Sequence, residues 1–170
     1  MLKTPSAKPV FGHTAAVSVS AFLIVADLLT KLWIESAFRL GESVPVIPGF
    51  FSIVYIKNKG SAFGFLSQAP GNIVIYGFTV LGIVAIGFII ALYRSLPPED
   101  IISRISFVLI GSGAFGNLID RFRSGAVTDF LLFYVGQWSW PAFNVADSCI
   151  TIGVFILGYA ILFKPRVPAE

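Results

Sequence analysis

This sequence is short of charge. Asp, Glu, Lys and Arg make up 12% of its 170 residues, where a soluble domain carries about 25%. The deficit excludes an ordinary water-facing surface, and apolar residues at 56% fill the gap, giving a mean hydropathy of +0.85. The single cysteine, Cys149, excludes an intramolecular disulfide and says nothing about redox compartment. With His13 as the only histidine, a zinc site is argued against, and no metal or cofactor is expected. The net charge of +3 is scattered over loops and ends without a basic block, so nucleic acid is not an expected partner. Internal repeats and low-complexity stretches are missing as well.

What is present is a set of apolar runs near the length needed to cross about 30 Å of hydrocarbon. They predict four transmembrane helices over residues 14–38, 72–93, 101–119 and 142–163, in one integral-membrane unit covering residues 1–170. The charge-free part of the first run ends at Ala26 and by itself resembles the apolar region of a signal peptide. Asp27, Lys31 and Glu35 then recur at every fourth residue, forming one polar stripe on a continuing helix. No small-residue cleavage site follows, so the segment is expected to be retained. Asp100 is placed to cap the third helix and Pro141 to begin the fourth. The small residues Gly111, Ser112, Gly113, Ala114 and Gly116 let another helix backbone approach the third closely.

Two segments between the runs are of another kind. Pro45, Pro48 and Gly49 break any helix, and Phe50 to Ile56 is aromatic and β-branched, a strand pattern. Lys57-Asn58-Lys59-Gly60 then makes a turn, with Ser61 to Leu66 as a return strand. Phe130 to Val135 predicts a further strand, Gly136-Gln137 a turn, and Trp138-Ser139-Trp140 an interfacial return. An open sheet edge cannot face lipid with its backbone groups unpaired. Residues 44–66 with 130–140 are therefore expected to form a small β-cradle outside the hydrocarbon.

Alternating helix direction brings four polar clusters to one membrane face. These are Asp27/Lys31, Asn58/Gly60, Asn117/Asp120/Arg121 and Asn144/Asp147, with Asp129 after the basic turn of residues 121–125. Each has a plain structural reading: a snorkelling ion pair, a turn, a flanking charge pair, and for Asp129 alone a loop residue. Asp147 resists that reading, because it sits inside the start of an apolar helix, where an ionisable group is costly and marks function. Two carboxylates gathered at such a face share a proton, which is the equipment of an aspartyl hydrolase. Paired membrane acids also serve proton or ion carriers, the alternative reading, but a carrier wants polarity through the whole bilayer depth. A non-catalytic membrane subunit, or a divalent metal on Asp120, Asp129 and Asp147, are further options on residue type.

Asp27-Leu28-Leu29-Thr30-Lys31, Asn58-Lys59-Gly60-Ser61-Ala62-Phe63-Gly64, Gly116-Asn117-Leu118-Ile119-Asp120-Arg121, Val127-Thr128-Asp129-Phe130 and Phe143-Asn144-Val145-Ala146-Asp147 are similar to the successive motifs of bacterial lipoprotein signal peptidase, signal peptidase II. The resemblance covers nearly the whole chain, in order. It departs at Ser112-Gly113, where the family has a glycine pair, a mild change in packing. It implies a membrane aspartyl endopeptidase that removes signal peptides from diacylglyceryl-modified prolipoproteins, cutting before the lipidated cysteine. It implies a catalytic pair at Asp129 and Asp147, supported by Asp27, Lys31, Asn58, Gly60, Asn117, Asp120, Arg121 and Asn144, with Arg121, Asn117 and Asn58 suited to hold substrate. The expected partners are the prolipoprotein and membrane lipids, and the expected state a monomer in the bacterial inner membrane. Four spans put both ends on one side, but Lys3, Lys8, Arg94, Arg104, Lys164 and Arg166 on that side are matched in number by Lys31, Arg39, Lys57, Lys59, Arg121 and Arg123 on the other. The shorter segments at the terminal side favour cytoplasmic termini and a periplasmic site.

Overall fold

The structure, a computed structural model, describes residues 11–60 and 71–163. Four helices are long and apolar enough to cross a membrane: α1 (His13–Ala37), α2 (Gly71–Ser95), α3 (Ile101–Ser124) and α4 (Val145–Phe163). At 1.5 Å per residue, the 25 residues of α1 reach about 37 Å and the 19 of α4 about 28 Å, which brackets the hydrocarbon thickness. The four predicted helices are all present, with different ends. α3 runs on to Ser124 where the sequence suggested residue 119, so the expected basic turn is its last helical turn. Gly125 stops it in the left-handed conformation (φ 70°), with its N–H on Arg121 O at 2.9 Å. Asp100 caps α3 as expected, accepting from Ser103 N at 3.2 Å.

α4 begins at Val145 and not at Pro141. The backbone of Phe143 is already engaged, exchanging hydrogen bonds with Leu131 at 2.8 and 3.0 Å, so it is bridged to the strand containing Leu131 and cannot join the helix. The helix then starts on a local signal. Asn144 Oδ1 accepts from Asp147 N at 2.9 Å while Asp147 Oδ2 accepts from Asn144 N at 3.3 Å, the reciprocal arrangement of a capping box.

Outside the helices lies one antiparallel sheet in the order β1 (Ser43–Ile47), β2 (Phe51–Asn58), β3 (Val127–Val135), β4 (Trp138–Ser139). β2 and β3 pair from Phe51↔Phe133 to Asn58↔Val127, with a shift of register between Ile53 and Ile56. Gly136 (φ 60°) and Gln137 form the tight turn into β4. Asp129 therefore lies within a strand, opposite Ile56, and not in a loop, because β3 starts at Val127 against the end of β2. The expected return strand at Ser61 to Leu66 lies outside the described residues.

α3 packs against all three other helices. Its contact with α4 is backbone-close: a Cβ on Gly113 would collide with Ala146 O, and one on Gly153 would come 2.9 Å from Ser106 O. The burial pattern inverts that of a soluble protein. The largest fully buried side chains are Lys31, Ile34, Asn144, Thr128, Asp27, Asp120 and Ser106, while Phe22, Phe88, Phe155 and Leu162 are exposed. A buried polar core inside an apolar shell is the arrangement that lipid, not water, selects.

Candidate active site

The polar core gathers where the C-terminal ends of α1 and α3 meet the start of α4 and the β2–β3 pair. Lys31 is its hub. From α1, and fully buried, its ammonium donates to Asp27 Oδ2 at 2.7 Å and Asn117 Oδ1 at 2.9 Å, and lies 3.5 Å from Asp120 Oδ2. With two hydrogen bonds and a second carboxylate in ion-pair reach, Asp27–Lys31 is part of an interior network and not a pair snorkelling to the surface. The second oxygen of Asp27 accepts from Ala146 N at 2.9 Å, capping α4 from another helix. Gly116 makes this possible, since a Cβ there would stand 2.6 Å from Asp27 Oδ2.

Asp120 turns away from its neighbour Arg121. It accepts from Thr128 N at 2.8 Å and from Arg123 Nη2 at 3.1 Å, tying the end of α3 to the start of β3. Arg121 instead donates to Asn117 O at 3.4 Å, lies 5.7 Å from the centre of the Phe78 ring, and interacts electrostatically with Asp147, Asp129 and Asp120.

The two aspartates are held by amides. Asp129 Oδ1 accepts from Asn144 Nδ2 at 2.8 Å and Oδ2 from Asn58 Nδ2 at 3.0 Å. Asp147 Oδ1 accepts from Asn117 Nδ2 at 2.7 Å, and its Oδ2 from Asn144 N. Asn144 is thus bonded to both. Asn58 and Asn117, assigned from the sequence to holding substrate, have their side-chain amides turned onto the aspartates in this structure. Gly60 closes the β2 end: its N–H meets Asn58 Oδ1 at 2.9 Å, its φ of 93° suits glycine, and a Cβ there would overlap the Phe78 ring. Asp129, 2% exposed, has its carboxyl pushed up to about 6. Burial is the main cause and the charge of Asp147 adds to it, while the amides of Asn58 and Asn144 oppose it. Asp147, half-buried, is the more open of the two.

All ten sequence-derived residues fall in or against this one cluster. Sequence reasoning missed its outer layer. Glu35 accepts from Lys57 at 2.7 Å, from Arg123 at 2.8 and 2.5 Å, and from the Thr128 hydroxyl at 2.7 Å. Thr128, next to Asp129, also accepts from Lys57 through its hydroxyl and from Asn144 through its carbonyl. The signal was available in the stripe, since Glu35 follows Lys31 by one helical turn.

Comparison with known proteins identifies the family of the whole chain. Residues 19–163 match the family described as signal peptidase (SPase) II. The chain belongs to the signal peptidase II family. It is 44% identical over 147 residues to the lipoprotein signal peptidase of Syntrophus aciditrophicus, covering 86% of this chain and 91% of that one. It is 44% identical over 167 residues to that of Burkholderia ambifaria, covering 98% of each. A solved bacterial membrane enzyme structure superposes with a TM-score of 0.81 at 28% identity, covering 94% of this chain and 99% of the other. As a signal peptidase II the chain is a protease, a multi-pass protein of the bacterial inner membrane, and the ion-carrier reading of its acids is not favoured.

Proposed function

We propose that Asp129 and Asp147 are the catalytic pair of an aspartic endopeptidase. The enzyme's reaction is removal of the signal peptide from prolipoproteins; its substrate class is the diacylglyceryl-modified precursor, and the bond cut is the one before the lipidated cysteine. The observation that carries the reading is the pair of carboxylates converging on Asn144, one of them pushed up to about 6 at the edge of a membrane core. The more buried Asp129 is the holder of the proton.

In the first step a water between the carboxyls attacks the scissile carbonyl carbon. Asp147 takes the water's proton and Asp129 gives its own to the carbonyl oxygen, leaving a neutral diol. In the second step Asp147 passes that proton to the cysteine nitrogen as the C–N bond breaks, and Asp129 recovers one from the diol. Arg121, in electrostatic reach of both aspartates, is suited to hold a substrate carbonyl. The substrate arrives by lateral diffusion, its acyl chains among the exposed apolar faces of the helices. We take the enzyme to act as a monomer, with cytoplasmic termini and a periplasmic site.

The test is cleavage of a diacylglyceryl prolipoprotein by the pure enzyme in nanodiscs. Asp129→Asn and Asp147→Asn should each lose about 10²–10⁴-fold or more in kcat while remaining folded in detergent. The same precursor without its diacylglyceryl group should stay uncut. Near-normal turnover by either variant would remove the pair from the mechanism.

A further inference from the structure

Among the described residues, one buried side-chain nitrogen or oxygen has no hydrogen-bond partner, Arg104 Nε. Arg104 lies near the start of α3, on the membrane face opposite Asp129 and Asp147, and is 4% exposed. Its Nη2 donates to Tyr93 Oη at 2.8 Å and meets the exposed His13 ring at 3.3 Å, and its guanidinium sits 4.7 Å from the centre of the Tyr93 ring. No carboxylate forms a salt bridge with it among the described residues. The acids nearby in sequence are Glu99, exposed in the preceding loop, and Asp100, whose carboxylate caps Ser103. Nε and Nη2 form the edge of a guanidinium that grips two anionic oxygens in parallel. Here that edge holds Tyr93 and His13 on one nitrogen and nothing on the other. A buried cation in this condition calls for an anion.

Tyr93 also lines an apolar groove of about 430 Å³ between α1, α2 and α3, together with Ala16, Ala21, Ile24, Ile86 and Phe115. We propose that the groove and Arg104 form one binding site for an anionic glycerophospholipid of the leaflet on the terminal side. An acyl chain lies in the groove, and the phosphate takes the Nε–Nη2 edge in place of the His13 ring. Basic pockets between transmembrane helices bind anionic headgroups in this way. The substrate's signal peptide is the other candidate occupant. Its positively charged end would lie at this face, where Arg104 repels it. The site stands independently of the catalytic assignment.

The test is native mass spectrometry of the full chain in detergent, titrated with phosphatidylglycerol, phosphatidylcholine of the same acyl chains, or inorganic phosphate. Phosphatidylglycerol should bind about five- to tenfold more tightly than phosphatidylcholine, and inorganic phosphate should not be retained. Arg104→Gln should bring phosphatidylglycerol down to the level of phosphatidylcholine. Ala21→Phe, a change on an exposed groove position that leaves the polar core alone, should weaken both lipids and keeps the test alive if Arg104→Gln fails to fold. Equal binding of the two lipids, indifference to Arg104→Gln, or retention of inorganic phosphate would overturn the proposal. So would an Ala21→Phe variant with unchanged lipid binding and a raised KM for prolipoprotein, which would make the signal peptide the occupant.

Discussion

Asn144 shows how much of the site rests on single side chains: its amide nitrogen reaches Asp129, its carbonyl oxygen caps Asp147, and its own backbone N–H returns to Asp147. Around such a centre the titration of Asp129 can be moved in either direction. Asp147→Asn removes a like charge and should lower it from about 6, whereas Asn58→Ala removes a donor and should raise it. Infrared spectra of the protonated carboxyl against pH would read both shifts. The elevation also has a sign for stability. The folded state keeps a proton that the unfolded chain releases at the ordinary 3.8, so the contribution is fully present below 3.8 and is lost as pH rises through about 6. Thermal unfolding in detergent should fall across that window, and Asp129→Asn should abolish this part of the fall. Lys31 offers a second residue-level test. Lys31→Met leaves Asp27 buried without its cation and Asp120 with Arg123 alone, and should cost about 3–5 kcal/mol, read as loss of stability to heat.

At the scale of elements, the position of Asp147 depends on how closely α3 approaches its neighbours. Gly116→Ala would push a methyl group against the Asp27 carboxylate and Ala146, and Gly113→Ala would drive one into the Ala146 carbonyl. Both should destabilise by about 1–3 kcal/mol and lower activity with it, since each separates the end of α3 from the start of α4. Gly87→Ala and Gly158→Ala meet open space and should be neutral or slightly stabilising. Parallel melting curves of the four variants would check the contrast. The β3 strand depends on a different device, the latch of Glu35, Lys57, Arg123 and Asp120 around Thr128, which joins α1, β2 and α3 to the residue beside Asp129.

For the whole molecule, the distribution of polarity is the organising fact. The buried carboxylates and amides gather at one membrane face, the helix flanks are apolar, and the sheet and its flanking residues carry exposed Val44, Phe50, Trp138 and Trp140. Aromatic side chains of this kind favour the level of the headgroups, which keeps the sheet at the surface above the site. A reporter fused after Arg166 should be cytoplasmic and one inserted at Gly136 periplasmic; the opposite pattern would reverse the orientation. The sequence by itself determined the number of spans, the β character of the two intervening segments, and the convergence of Asp27, Asn58, Asn117, Asp129 and Asp147 on one face. These follow from local hydropathy, from strand and turn chemistry, and from the alternation of helix direction, all written in neighbouring residues. Tertiary structure alone decided that Lys31 is a buried hub, that Asp27 caps a helix far along the chain, that Asp120 faces Thr128, and that Phe143 is bridged to β3 so that α4 starts after it. Each of these depends on a partner distant in sequence, through a hydrogen bond whose donor and acceptor meet only after α1, α3, α4 and the sheet have packed.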